Sequence, residues 1–119
     1  MKIRRALLKD LKVVVAMAND GEEPYFRRLI KEQIVLVAEE VGIMGICYGE
    51  RNKEEEWADL RGLFVNPQWR NLGTGTALIK EFLKRVKGLE VEVVCEGEAR
   101  LLRKLGFKKC KHFHLYIKS

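Results

Sequence analysis

The sequence predicts an α/β (α+β) fold: a mixed, mostly antiparallel twisted sheet with one parallel βαβ pair and flanking helices, in the order β-α-α-β-β-β-α-β-α-β. Three observations carry this expectation. Two continuous apolar runs, 34–38 and 43–48, are separated only by a short turn ending in Gly42, the pattern of a β-hairpin. Past Gly73 the apolar spacing changes from that of a strand to that of a helix. Strand 57–65, the helix after it and strand 89–96 then form one right-handed crossover, which makes those two strands parallel.

Taken in order, residues 2–8 read as a strand, and Asp10 is placed to cap a helix whose Leu11, Val14, Val15 and Ala18 fall on one face. Asn19, Asp20 and Gly21 end that helix. A second amphipathic helix spans 22–33 behind Pro24, with Tyr25, Phe26, Leu29 and Ile30 as its apolar positions. The hairpin follows, then a charged turn over 50–56 and a strand over 57–65, stopped by Asn66 and Pro67. Leu78, Ile79, Phe82, Leu83 and Val86 stripe the next helix, which Gly88 terminates. A strand over 89–96, a short helix over 98–105 closed by Gly106, and a final strand over 112–118 complete the chain. Only about twelve residues follow Phe107, enough for one strand.

With 119 residues the chain has room for a single domain, 1–119. Its 47% hydrophobic content beside 34% charge excludes a disordered composition. Cys47, Cys95 and Cys110 are odd in number and form no C-x-x-C pair, which argues for free thiols in a reducing cytoplasm rather than a disulfide or zinc framework. Val13 to Ala18 is too short an apolar run for a signal peptide, and no segment reaches membrane-spanning length. The net charge of +6 suits an anionic ligand or, equally, a Lys- and Glu-rich solvated surface. Lys108, Lys109 and Lys111 with Arg4 and Arg5 lack the interleaved aromatics of an RNA-binding surface, so nucleic acid is the remote alternative. His112 and His114 alternate on one face with Tyr116, but no third ligand accompanies them and no metal is expected.

The segment with chemical content runs from Leu63 to Leu78. Gly73 and Gly75, one residue apart and leading straight into a helix, let successive main-chain N–H groups converge where the helix dipole adds positive potential. That arrangement suits a phosphate, and Arg70 adds a full charge; an ordinary strand-to-helix turn is the competing reading. No P-loop motif is present, and Leu78 breaks a dinucleotide fingerprint beginning at Gly73.

Arg70-Asn71-Leu72-Gly73-Thr74-Gly75 after Val65-Asn66-Pro67 resembles the acetyl-CoA signature [QR]-x-x-G-x-[GA] of the GNAT N-acetyltransferase superfamily. Ile3 to Ala6 with Asp10, Val37 to Glu40 with Ile43-Met44-Gly45, and Ala99 through Leu105-Gly106-Phe107 are similar to other parts of that fold. The resemblance implies a pyrophosphate on the amides of Leu72 to Thr76 and a pantetheine arm along the main chain of Leu63, Phe64 and Val65. It also implies direct attack by a primary amine, with a main-chain N–H near Phe64 as oxyanion donor.

An amine of lysine type has a pKa near about 10.4, so direct attack needs a proton acceptor. Asp59 falls where the family carries a carboxylate; strand periodicity puts it on one face with Arg61 and Leu63, and an ion pair with Arg61 is its other reading. The family's thiolate acid, a tyrosine of the last helix, is replaced by Leu102, and a frequent asparagine by Glu96. Glu96 is thus a reserve base and Tyr116 a substitute acid. Tyr25 and Phe26 occupy the family's substrate-facing segment, or belong to the core. The missing acid keeps open an acetyl-CoA-binding sensor as the alternative to an enzyme acting on a small-molecule or peptide amine. The single final strand leaves an open wall that a homodimer would cover.

Overall fold

The computed structural model describes residues 1–18, 22–70, 72–94, 99–109 and 115–118. Seven strands form one sheet: β1 (Lys2–Arg5), β2 (Ile34–Glu39), β3 (Ile43–Asn52), β4 (Trp57–Val65), β5 (Glu90–Val94), β6 (Lys108–Lys109) and β7 (Leu115–Lys118), in the spatial order β1-β2-β3-β4-β5-β7-β6. The pairs are antiparallel except β4 with β5, which are parallel across α3 (Thr74–Arg85) as the crossover requires.

Alternation along the inner strands sends residues to two cores. Leu36, Cys47, Ala58, Leu60, Val91 and Val93 face α3 and α4 (Ala99–Lys104), where Leu78, Ile79, Phe82 and Leu102 cover them. Val35, Val37, Ile46 and Tyr48 face α1 (Leu11–Ala18) and α2 (Glu23–Glu32), packed by Val14, Phe26 and Leu29. A sheet apolar on both faces needs covers on both sides, which is why β2 and β3 read as unbroken apolar runs.

Several boundaries differ from those expected of the sequence. β1 stops at Arg5, and a 3-10 turn, Leu8–Asp10, precedes α1. Asp10 does not cap α1 forward: its Oδ2 accepts from the Leu7 N–H at 2.8 Å and from Arg4 Nη1 at 2.9 Å, while Arg4 Nε reaches Glu39 Oε1 at 3.1 Å. An arginine bridging two carboxylates ties β1, β2 and the first helical turn together, which outweighs a cap on a solvated N–H. β3 continues to Asn52, four residues past Tyr48, because Arg51 and Asn52 still pair with Ala58 and Trp57; the turn is confined to 53–56. The C-terminus carries two strands rather than one. β6 is only two residues long but pairs antiparallel with β7, since the left-handed Gly106 (φ +95°) turns the chain back along the sheet. The part of the expected last strand over 112–114, with His112 and His114, lies outside the described residues, as do Cys95 and Cys110. Cys47 is a free, buried thiol whose pKa burial pushes up.

Candidate active site

A one-residue bulge shapes β4. Tyr48 pairs with Gly62 and Gly49 with Leu60, so Arg61 is an extra residue without a partner on β3. The slip reverses the alternation: Asp59 lies on the α1/α2 face with Gly62 and Phe64, whereas Leu63 and Val65 pack on the opposite, α3 face. The expectation that Asp59 shares a face with Leu63 is therefore corrected, because period two does not survive an inserted residue. A Cβ at Gly62 would overlap the Tyr48 ring, which the bare main chain admits. Tyr48 in turn packs edge-on to Phe26 at 4.8 Å and stacks with Phe64 at 6.4 Å.

Beyond the bulge the sheet opens. Among the described residues β4 pairs with β5 only from Trp57–Glu90 to Leu60–Val93, and Leu63, Phe64 and Val65 have β3 as their one described partner strand. A cleft of about 680 Å³ lies there, bounded by the end of β4, the N-terminus of α3 and one face of α4, within the size range of small-molecule sites. Of the residues read as cofactor-binding, Leu63, Phe64, Val65, Arg70, Gly73, Thr74, Gly75 and Thr76 all line it. Leu72 is not among the lining residues and is exposed, and Asn71 lies outside the described residues.

The loop folds as its residues require. Asn66 Oδ1 accepts from the Gln68 N–H at 3.1 Å, opening a 3-10 turn over Pro67–Trp69. Gly73 is the N-cap of α3 at φ +82°, a left-handed conformation that a side chain resists. Thr74 is buried and donates its hydroxyl to the Trp69 carbonyl at 3.5 Å. Arg70 Nε donates to the Val65 carbonyl at 3.3 Å, and both residues line the cleft. A Cβ at Gly75 would sit 3.6–3.9 Å from Leu63, Leu101 and Val65, within the cleft rather than against α3.

The sequence reading missed Met17, Trp69, Arg100, Leu101 and Lys104, which also line the cleft. Arg100 and Lys104 stand at i and i+4 of α4, hence on one face, and that spacing was the available signal. With Arg70 they make three cations, and no acid is among the described residues that line the cleft. Leu102 turns away into the α3 core, fully buried, so it offers the cleft no proton donor.

At the closed end of the seam, charges are paired instead. Arg61 Nε donates to Asp59 Oδ1 and Oδ2 at 3.1 and 3.0 Å, its Nη1 donates to the Tyr25 hydroxyl at 3.0 Å, and it also pairs with Glu50. Asp59 additionally accepts from the Glu50 N–H at 3.0 Å, and Glu50 accepts from Arg28 at 3.0 Å. Burial pushes the Arg61 pKa down, but the Tyr25 oxygen and the Asp59 carboxylate together hold it above its ordinary value. Of the two α2 aromatics, Tyr25 reaches this network. Phe26 does not face a substrate: it is fully buried against Tyr48, since its ring completes the α1/α2 core. Glu96 lies outside the described residues, and the Tyr116 side chain is likewise not described, although its main chain pairs in β7.

The family model "Acetyltransferase (GNAT) domain" matches residues 31–109. No curated protein matches the chain in sequence. A solved Mycobacterium tuberculosis protein in complex with CoA is similar at a TM-score of 0.82 and 17% identity, over 93% of this chain and 74% of that one. A GNAT family acetyltransferase from Brucella melitensis in complex with acetyl-CoA gives 0.76 and 20%, over 99% and 86%. The ribosomal-protein-alanine N-acetyltransferase of Brucella melitensis gives 0.76 and 20%, over 98% and 96%. At such identities the likeness is one of fold.

Proposed function

Because the chain belongs to the GNAT acetyltransferase family, we propose that it binds acetyl-CoA in the cleft bounded by β4, the N-terminus of α3 and α4, and transfers the acetyl group to a primary amine. The observation that carries the reading is the main chain of Leu63, Phe64 and Val65, paired with β3 on one side and with no described strand on the other, facing the N-terminus of α3 across a cation-lined cleft. The residues fit the cofactor. Main-chain N–H groups of residues 72–76 suit a diphosphate at a helix start, Arg70, Arg100 and Lys104 supply counter-charge, and Gly75 keeps the space between Leu63 and Leu101 open. An extended arm is received by an unpaired strand edge much as a peptide strand is. When bound, acetyl-CoA supplies the acetyl thioester, and a main-chain N–H near Phe64 serves as oxyanion donor.

The acceptor is a small-molecule or peptide amine; the alanine acceptor named for the Brucella structure supports the peptide end of that range. Removal of the amine proton falls to a carboxylate at the closed end of the seam, for which Asp59 is the candidate read from the sequence, with Glu96 in reserve and Tyr116 as thiolate acid. A homodimer in a reducing cytoplasm belongs to the same reading, supported by the exposed two-residue edge strand β6 and the free Cys47. The buried Leu102 favours a second reading, an acetyl-CoA sensor without turnover.

Calorimetry with acetyl-CoA, CoA and NAD tests the first step, and the first two are expected to bind. Thiol release with a panel of amines, including peptide N-termini and polyamines, tests the second. Failure of both CoA compounds to bind overturns the reading, and binding without release leaves the sensor.

A further inference from the structure

Glu92 stands directly beside Asp59. The two are partners in the parallel β4–β5 register, one step before Leu60–Val93, the last pair ahead of the opening. Val91 and Val93 point into the α3 core, so Glu92 projects from the opposite face, the face of Asp59 and Glu50. Its side chain is exposed and makes no hydrogen bond or ion pair with any described residue. Asp59 is in the contrary state. Both of its oxygens accept from Arg61, and Oδ1 also accepts from the Glu50 N–H.

A carboxylate that takes a proton from an incoming ammonium group must have an oxygen lone pair turned to solvent. Protonating Asp59 would weaken its pairing with Arg61, which is itself held by Tyr25 and Glu50. Glu92 has no such partner among the described residues. We infer that Glu92, rather than Asp59, is the proton acceptor for the amine, acting directly or through one water, and that Asp59 and Arg61 are positioning residues that stiffen the bulge beside it. This inference rests on the acetyl transfer proposed above. In the step, an N–H proton of the ammonium passes to the Glu92 carboxylate, leaving the neutral amine whose lone pair forms the new N–C bond. Among the described residues, the charged groups on the sheet face of Glu92 are Asp59 beside it on β4, Glu50 on β3 with Arg61 and Arg28 paired to it, Glu90 two residues back on its own strand, and Lys108 on β6, which pairs with the uncharged β7 neighbour Ile117; the Tyr25 hydroxyl accepts from Arg61.

The test compares Glu92→Gln, Glu92→Asp and Asp59→Asn by acetyl-CoA calorimetry and by kcat and KM against pH with the best amine of the panel. Glu92→Gln changes an exposed side chain, so the fold is retained. It is expected to lower kcat on the order of 10²-fold, leave acetyl-CoA affinity unchanged and abolish the acidic limb of the pH profile, with Glu92→Asp recovering part of the rate. Asp59→Asn is expected to lose less and to keep that limb. An unchanged kcat in Glu92→Gln, or loss of the limb in Asp59→Asn alone, overturns the assignment while the transferase reading stands. A wild-type protein that turns over no amine overturns both.

Discussion

Arg61, the unpaired residue of the β4 bulge, holds both oxygens of Asp59 through its Nε, at 3.1 and 3.0 Å. An inserted residue in a strand normally loosens it. Here its side chain is anchored to β3 by Glu50 and to α2 by Tyr25, so the bulge becomes a fixed corner from which β4 departs from β5. Arg61→Ala removes all three contacts. For a partly exposed side chain the expected loss is about 1 kcal/mol, read as a fall in Tm of about 3–5 °C.

Gly62 is the next position along the bulge, and its missing side chain is what lets Tyr48 lie between Phe26 and Phe64. Gly62→Ala is expected to cost about 1–3 kcal/mol by overpacking, measured by denaturant unfolding. Because Phe64 lines the cleft, acetyl-CoA affinity should fall in the same variant.

Gly75 offers the opposite outcome. It lies inside α3, where alanine is the better helix former by about 1 kcal/mol, and an added methyl would meet Leu63, Leu101 and Val65 only at ordinary contact distance. Gly75→Ala should therefore raise or preserve Tm yet weaken acetyl-CoA binding, because the methyl occupies the cleft. A gain in stability with full affinity would show that the cofactor does not approach this residue.

The cleft's charge is concentrated on Arg70, Arg100 and Lys104. Replacing Arg100 and Lys104 together by Gln should reduce acetyl-CoA affinity about tenfold, or about 1.4 kcal/mol, in calorimetry at low salt. The difference between this double variant and the wild type should shrink as salt rises, since the lost attraction is screened.

Acid stability follows from the Arg4–Asp10 pair. The Arg4 guanidinium, together with the Leu7 N–H, holds the Asp10 carboxyl below its ordinary value, and Glu39 is lowered by the same arginine. A carboxylate with a depressed folded pKa contributes stability that is complete above its unfolded value, near about 3.9, and is lost as pH falls through the lower folded value. Asp10→Asn should thus cost about 1–3 kcal/mol at pH 7 and progressively less below pH about 4, in unfolding curves taken across that range.

Much of this was legible in the chain itself. The hairpin, the crossover and the Gly73–Gly75 loop rest on local patterns, runs of apolar residues, a change of period and glycines before a helix, and each appears where those patterns put it. The bulge was not legible, because nothing in Trp57 to Val65 marks an inserted residue; it exists because Gly49 and Tyr48 on β3 choose which residues of β4 to face. Arg100 and Lys104 were visible as a basic pair but not as part of the cleft, since that depends on how α4 docks beside the opening.

The sequence by itself determined the order of the helices and strands as far as α4, the burial of both sheet faces and a glycine-led helix start suited to an anion, because these follow from short-range sterics and apolar spacing. Only the tertiary structure decided which carboxylate has no partner among the described residues. Asp59 and Glu92 are 33 residues apart in the chain and neighbours in the parallel register, and one of them is held by Arg61 while the other is not. Ion pairing of that kind depends on distances across strands, and no local pattern encodes them.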